Sequence, residues 1–159
     1  MRLAAQAFRE DMPVMLYTAY MNSDRLLHLK YSLQALAQTA NVQINLFPDF
    51  VQVADELALD FNYWHLVVLQ NNHELTDYQK DLLLALDDYL SEISKGVLKE
   101  ELWTIDALQE RSEWEKVRVF ARKILEEFKW KLDLPLFDRN QYIQSRKQNS
   151  ALDTSLPPS

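Results

Sequence analysis

"LTDYQKDLLLALDDYLSEISKG", residues 75–96, is the stretch on which the architecture turns. Thr76 and Gln79 have the spacing of a reciprocal N-terminal cap, in which each side chain satisfies a backbone amide beside the other. Leu82, Leu83, Leu86, Tyr89, Leu90 and Ile93 then recur three and four residues apart, which on an α-helix gathers them on one face. Lys95 and Gly96 supply the stop, a cation beside the carbonyl end followed by the residue least able to continue the helix. The segment therefore predicts an amphipathic helix whose apolar face needs other elements to cover it.

Working outward, the same signals recur. In "NSDRLLHLKYSLQALAQTA" (22–40), Asn22, Ser23 and Asp24 offer caps, and Leu26, Leu29, Leu33, Leu36 and Ala37 share a face with His28 on the opposite, polar side. With Asn22 as the cap, Met21 and Leu26 take the places of a hydrophobic staple. "NVQINLFP" (41–48) reads as a loop, after which Pro48 and Asp49 are expected to open a second helix, with Asp49 and Gln52 as a capping box. At about 100° per residue, Phe50, Val53, Ala54, Leu57, Phe61, Trp64 and Val68 fall within about 100° of arc as its core stripe. Leu59 and Leu66 lie nearly opposite, which predicts a central helix touched on two sides. A short helix is expected from Thr104. The last long one is expected from Ser112, paired with Glu115, burying Trp114, Val117, Phe120, Ala121, Ile124, Leu125 and Phe128.

One Gly and five Pro in 159 residues leave few tight turns, and a 48% apolar composition is enough for one core. The expected fold is all-α, a single-domain helical bundle of four principal helices plus short helices. Residues 1–20 are read as an N-terminal arm or short helix, 21–134 as the bundle, and 135–159 as a flexible C-terminal tail, because "QYIQSRKQNSALDTSLPPS" lacks apolar periodicity. No repeat of solenoid length and no sustained heptad is present.

The absence of cysteine excludes disulfides, thiolate zinc and a cysteine nucleophile, and fits the cytoplasm as the expected location. Glu10 and Asp11 interrupt any signal core, and no run reaches the roughly 20 apolar residues of a membrane span, so a soluble protein without a membrane partner is expected.

Catalytic chemistry finds little purchase. "DELALDFNYWHLVVLQNN" (55–72) sets Asp55, Glu56 and Asp60 near His65, but the chain holds no Glu-x-x-His, His-x-x-x-His or His-Glu-x-x-His. A single glycine cannot build a nucleophile elbow or a phosphate loop. His65 is expected at the border of the core stripe as a satisfied histidine. Trp103, Trp114 and Trp130 are read as core rather than as an aromatic pocket. The chain is thus read as no enzyme, with no cofactor and no metal; a carboxylate-based metal protein or enzyme is the competing reading.

The carboxylates form stripes instead. Asp49, Glu56, Asp60 and Tyr63 fall within about 60° of arc on the second helix, as do Asp77, Asp81, Asp88 and Glu92 on the third. Pairs such as Glu56 with Asp60 repel at i,i+4, each by about 0.2–0.5 kcal/mol, and no Lys or Arg occurs between Lys30 and Lys80. A net charge of −7 disfavours direct nucleic-acid binding. If the two helices are neighbours, their stripes can merge into one acidic surface that steers a basic protein partner. The plain alternative is two solvated helix faces.

"FPDFVQVADELALDF" (47–61), "LWTIDALQ" (102–109) and "SEWEKVRVFA" (112–121) resemble segments of small helical bacterial proteins, some of them similar to toxin-neutralising immunity proteins. The resemblance covers residues 22 to 130. It implies a cytoplasmic, non-catalytic protein that occludes a basic toxin through an acidic face. A structural or regulatory homo-oligomeric subunit, joined through Leu59 and Leu66, is the remaining reading; the oligomeric state is open.

Overall fold

The computed structural model describes residues 14–71, 74–96 and 99–136. Among the described residues seven helices follow in chain order: α1 (Val14–Ala37), α2 (Ala40–Asn45), α3 (Val53–Asn71), α4 (Asp77–Lys95), α5 (Lys99–Leu102), α6 (Ile105–Glu110) and α7 (Ser112–Glu127). No strand occurs among the described residues, so the all-α expectation is met with four long helices and three short ones. α1 packs chiefly on α3 and α7, α4 on α7, and α3 more lightly on α4, which closes a ring in the order α1, α3, α4, α7. Leu29, Leu33, Leu36, Leu57, Phe61, Leu83, Leu86, Leu108, Trp114 and Ile124 fill its centre, all fully buried.

α1 departs from expectation at its start. It begins at Val14 and runs about 36 Å without interruption, so Asn22 is an interior residue and no cap. Asn, Ser and Asp each disfavour a helix interior by only about 0.5 kcal/mol relative to Ala, too little to stop a segment that contains no Gly or Pro. Part of the segment assigned to an N-terminal arm therefore belongs to the bundle's longest helix; residues 1–13 lie outside the described residues.

The expected loop at 41–48 is in part α2, and its purpose is local. Gln43, fully buried, donates through Nε2 to the carbonyls of Ala35 and Leu36, both at 3.0 Å. Both carbonyls lie in the last turn of α1, where i+4 amide partners run out; that of Ala35 also accepts from Gln38 N–H at 3.4 Å. Arg122 Nε donates to a third, that of Ala37, at 3.0 Å.

α3 also starts later than Pro48 suggests. Val51 N–H closes a turn onto the Pro48 carbonyl at 3.0 Å, so the chain turns through Asp49 and Phe50 and the helix begins at Val53. Asp49 and Phe50 consequently stand ahead of the helix and are exposed, not on its stripe and core face. α4 keeps its predicted cap in full: Gln79 N–H donates to Thr76 Oγ1 at 3.1 Å, and Thr76 N–H to Gln79 Oε1 at 3.0 Å. Thr104 caps α6 as expected, accepting from Ala107 N–H at 3.1 Å.

The anticipated Ser112 and Glu115 box does not form. Arg111 takes the cap position of α7 without a side-chain bond, and Glu115 instead accepts from Arg118 Nη1 at 3.1 Å. Trp114 Nε1 donates to the Leu102 carbonyl at 2.6 Å, pinning α7 to α5. After α7 the chain reverses at Lys129, whose φ of 58° is left-handed, and Trp130 N–H reaches back to the Leu125 carbonyl at 2.9 Å. The returning segment is strapped to α1: Gln34 and Gln38 donate to the carbonyls of Lys131 and Asp133, each at 2.9 Å. Pro135, expected at the edge of order, is buried. The expected tail beyond Leu136 lies outside the described residues.

Candidate functional site

Asp49, Glu56, Asp60 and Tyr63 divide between a turn and a helix face. Asp49 sits on the turn before α3; the other three lie on the flank of α3 that adjoins α1. Tyr63, 59% exposed, meets Trp64 edge-on at 4.8 Å, and Trp64 stacks flat on His28 of α1 at 4.3 Å. His28 is thus not a free polar-face residue but part of an aromatic seam, completed by Tyr31 edge-on at 6.3 Å and by Asp24, whose Oδ2 is 3.7 Å from Nε2. Partial burial, aided by the Asp55 charge, pushes the Glu56 carboxyl above its ordinary range.

Asp77, Asp81, Asp88 and Glu92 are all exposed along α4, and none is ion-paired within the described residues. Asp88 and Glu92 form one rim of a groove of about 680 Å³ between α4 and α7. Its floor is Ala85, Tyr89, Val119 and Phe120, and its other rim is Glu115, Lys116 and Lys123. Burial, followed by the nearby Glu113 and Glu92 charges, raises the Tyr89 hydroxyl above its usual titration range.

The two stripes do not meet. α3 faces α4 through Asp55, Ala58, Leu59 and Asn62, opposite Asp87, Leu90, Ser91 and Ser94, across a cleft of about 430 Å³ with Trp103 at its wall. The α3 stripe falls on the α1 side of this cleft and the α4 stripe on the α7 side. Adjacent helices thus turn their acidic faces apart, with the cleft lying between them.

His65 is more deeply placed than a boundary residue. It is fully buried, stacked on Phe61 at 4.9 Å, with Nδ1 2.9 Å from the Phe61 carbonyl and Nε2 3.6 Å from Asp87 Oδ2. A carbonyl only accepts, so Nδ1 carries the proton. The tryptophans separate: Trp114 is core, Trp103 packs edge-on to it at 5.4 Å and reaches the cleft, and Trp130 stacks on Phe128 at 4.4 Å. Asp87 escaped sequence reasoning because it lies between the core face and the acidic stripe of α4; its usable signal is the matching flank position of Asp55 on α3.

Among the described residues, no group of three or more His, Asp or Glu side chains is placed to hold a metal ion, and no helix is long and apolar enough to cross a membrane. Comparison with protein-family models, curated proteins and solved structures returns no match.

Proposed function

We propose that the chain is a non-catalytic protein-binding module that takes a basic, amphipathic segment of its partner on the acidic face of α4 and the adjoining α4–α7 groove. The observation that carries this reading is the placement of Asp88 and Glu92 on the rim of an apolar floor made by Tyr89, Val119 and Phe120. Val119 is 55% exposed, a large apolar side chain left uncovered near Asp88 and Glu92, which have no ion-pair partner among the described residues. An amphipathic helix with Lys or Arg on one edge satisfies both features at once, as helix-in-groove recognition does generally. Asp77 and Asp81 extend the negative row along α4 and favour rapid encounter with a positive surface.

In the immunity-protein reading the partner is a basic bacterial toxin, neutralised in the cytoplasm by occlusion. The α3 face, with Glu56, Asp60 and Tyr63, is then a flanking contact, Tyr63 serving as a flat anchor. The test uses a basic amphipathic helical peptide and, where the adjacent reading frame encodes one, the toxin domain itself. Replacing Asp81, Asp88 and Glu92 together by Lys is expected to slow association at least tenfold at low salt, an effect that shrinks as salt is raised. Replacing Glu56 and Asp60 by Lys is expected to have a smaller effect. Unchanged binding by the α4 variant with its helix content intact overturns the proposal.

Leu59 and Leu66, 58% and 43% exposed, favour a second reading as a homo-oligomeric subunit. Sedimentation decides it: self-association abolished by Leu59→Asp supports this reading, and a strict monomer removes it.

A further inference from the structure

The groove between α4 and α7 carries opposite charges on its two sides. Asp88 and Glu92 stand on the α4 side, one helical turn apart. On the α7 side stand Lys116 and Lys123, whose spacing of seven residues sets them about 10.5 Å apart on nearly one line of the helix. All four side chains are exposed, and none is ion-paired among the described residues. The two rows therefore do not pair with each other across Ala85, Tyr89 and Phe120. Glu115 also lines the α7 side, but its carboxylate is drawn to Arg118, whose Nη1 donates to Oε2 at 3.1 Å. The charge left uncompensated on that side is positive.

This pattern narrows the kind of helix the groove accepts. A helix that is basic on both edges is attracted by Asp88 and Glu92 and repelled by Lys116 and Lys123. One with cations along a single edge and carboxylates along the other is attracted on both sides, and the lysines then act against the wrong partner as well as for the right one.

We infer, resting on the helix-in-groove reading above, that the groove takes a charge-split amphipathic helix, basic along the edge beside α4 and acidic along the edge beside α7. Cations four residues apart match Asp88 and Glu92, and carboxylates seven residues apart match Lys116 and Lys123. The same pattern sets the direction in which the helix lies. Turning it end for end with its apolar face kept on the groove exchanges its edges, which brings cations against the lysines and carboxylates against Asp88 and Glu92. Each exposed pair contributes little, but the whole set changes sign together, so one direction prevails by about tenfold or more.

The experiment titrates the full chain, labelled with nitrogen-15, with three helical peptides of about 18 residues that share one leucine face. Salt of about 0.15 M screens the general pull of the net charge of −7 on a cationic peptide. The first peptide carries Lys on one edge and Glu on the other, the second has these edges exchanged, and the third carries Lys on both. A nitroxide at each N-terminus broadens amide signals toward one end of α4 or the other and so reports direction. The first and second peptides are expected to bind in opposite directions, and both more tightly than the third. Replacing Lys116 and Lys123 together by Glu is expected to weaken the first two by about tenfold and to strengthen the third. A common direction for the first two, no preferred direction, or tightest binding of the all-Lys peptide overturns the inference and leaves the groove reading standing. Saturable binding of none of the three overturns both. Circular dichroism checks the folding of the lysine variant; if it fails to fold, the direction readout on the unaltered chain decides.

Discussion

At the scale of single residues, the chain's one glycine and its one described left-handed position do not coincide. Gly96 ends α4 with φ −71° and ψ 173°, an extended conformation open to any residue, and a Cβ there meets only the Glu92 carbonyl oxygen at 3.8 Å. Lys129, by contrast, holds φ 58° where its Cβ is sterically penalised. Lys129→Gly is accordingly expected to gain about 0.5–1 kcal/mol, and Gly96→Ala to be neutral or to gain up to about 1 kcal/mol through a less free unfolded chain. Urea unfolding of both variants checks this; a loss above that size in either contradicts the backbone argument. Glu56 makes a pH-dependent case. Its folded carboxyl titrates above the ordinary range, mainly from burial and then from Asp55, so its proton is held more tightly folded than unfolded. Stability is therefore unpenalised below the unfolded carboxyl pKa and falls as pH rises through the raised folded one. Glu56→Gln is expected to melt higher at pH 7, on the order of 1–2 °C because the group is still largely solvated, with the difference vanishing below about pH 4.

Elements show where local grammar is obeyed and where it is overruled. Thr76 and Gln79 make both bonds of their box, whereas the equally spaced Ser112 and Glu115 make neither, since Arg118 captures the Glu115 carboxylate. Thr76→Ala is expected to cost about 1 kcal/mol and Ser112→Ala only a few tenths, a contrast that thermal unfolding of the pair resolves. The α4 reading was legible because cap, apolar period and stop all agreed within one segment. α1 was legible only from Asn22 onward, because local capping preference is weak beside a continuous run of helix-compatible residues. α2 was not legible at all: six residues carry no usable period, and its role depends on Gln43 finding carbonyls at the end of another helix.

For the whole molecule, the bundle followed from composition and period, but the relation between its surfaces did not. Two acidic stripes were readable on α3 and α4, and only packing reveals that they face α1 and α7 with a cleft between them. The carboxylates of that cleft, Asp55 and Asp87, lay between patterns and had no periodic signature. Arg118 was missed for a related reason. In sequence it is one more charged residue of an amphipathic helix, yet it is 4% exposed. Its guanidinium is shared among the Gln43 side chain at 3.3 Å, the Leu108 carbonyl and Glu115, while Gln43 in turn holds the end of α1.

That hub bears on how the protein comes apart. A buried guanidinium stripped of one partner is strongly unfavourable, and its partners sit on α2, α6 and α7, up to 75 residues distant in sequence. Detaching α2 or α6 removes one of the buried partners of Arg118, so opening at either short helix costs more than that helix's own contacts. The arginine thereby works as a cooperativity device: it joins short helices that have little stability of their own to the long ones, and makes the bundle one unfolding unit rather than a core with loosely attached parts.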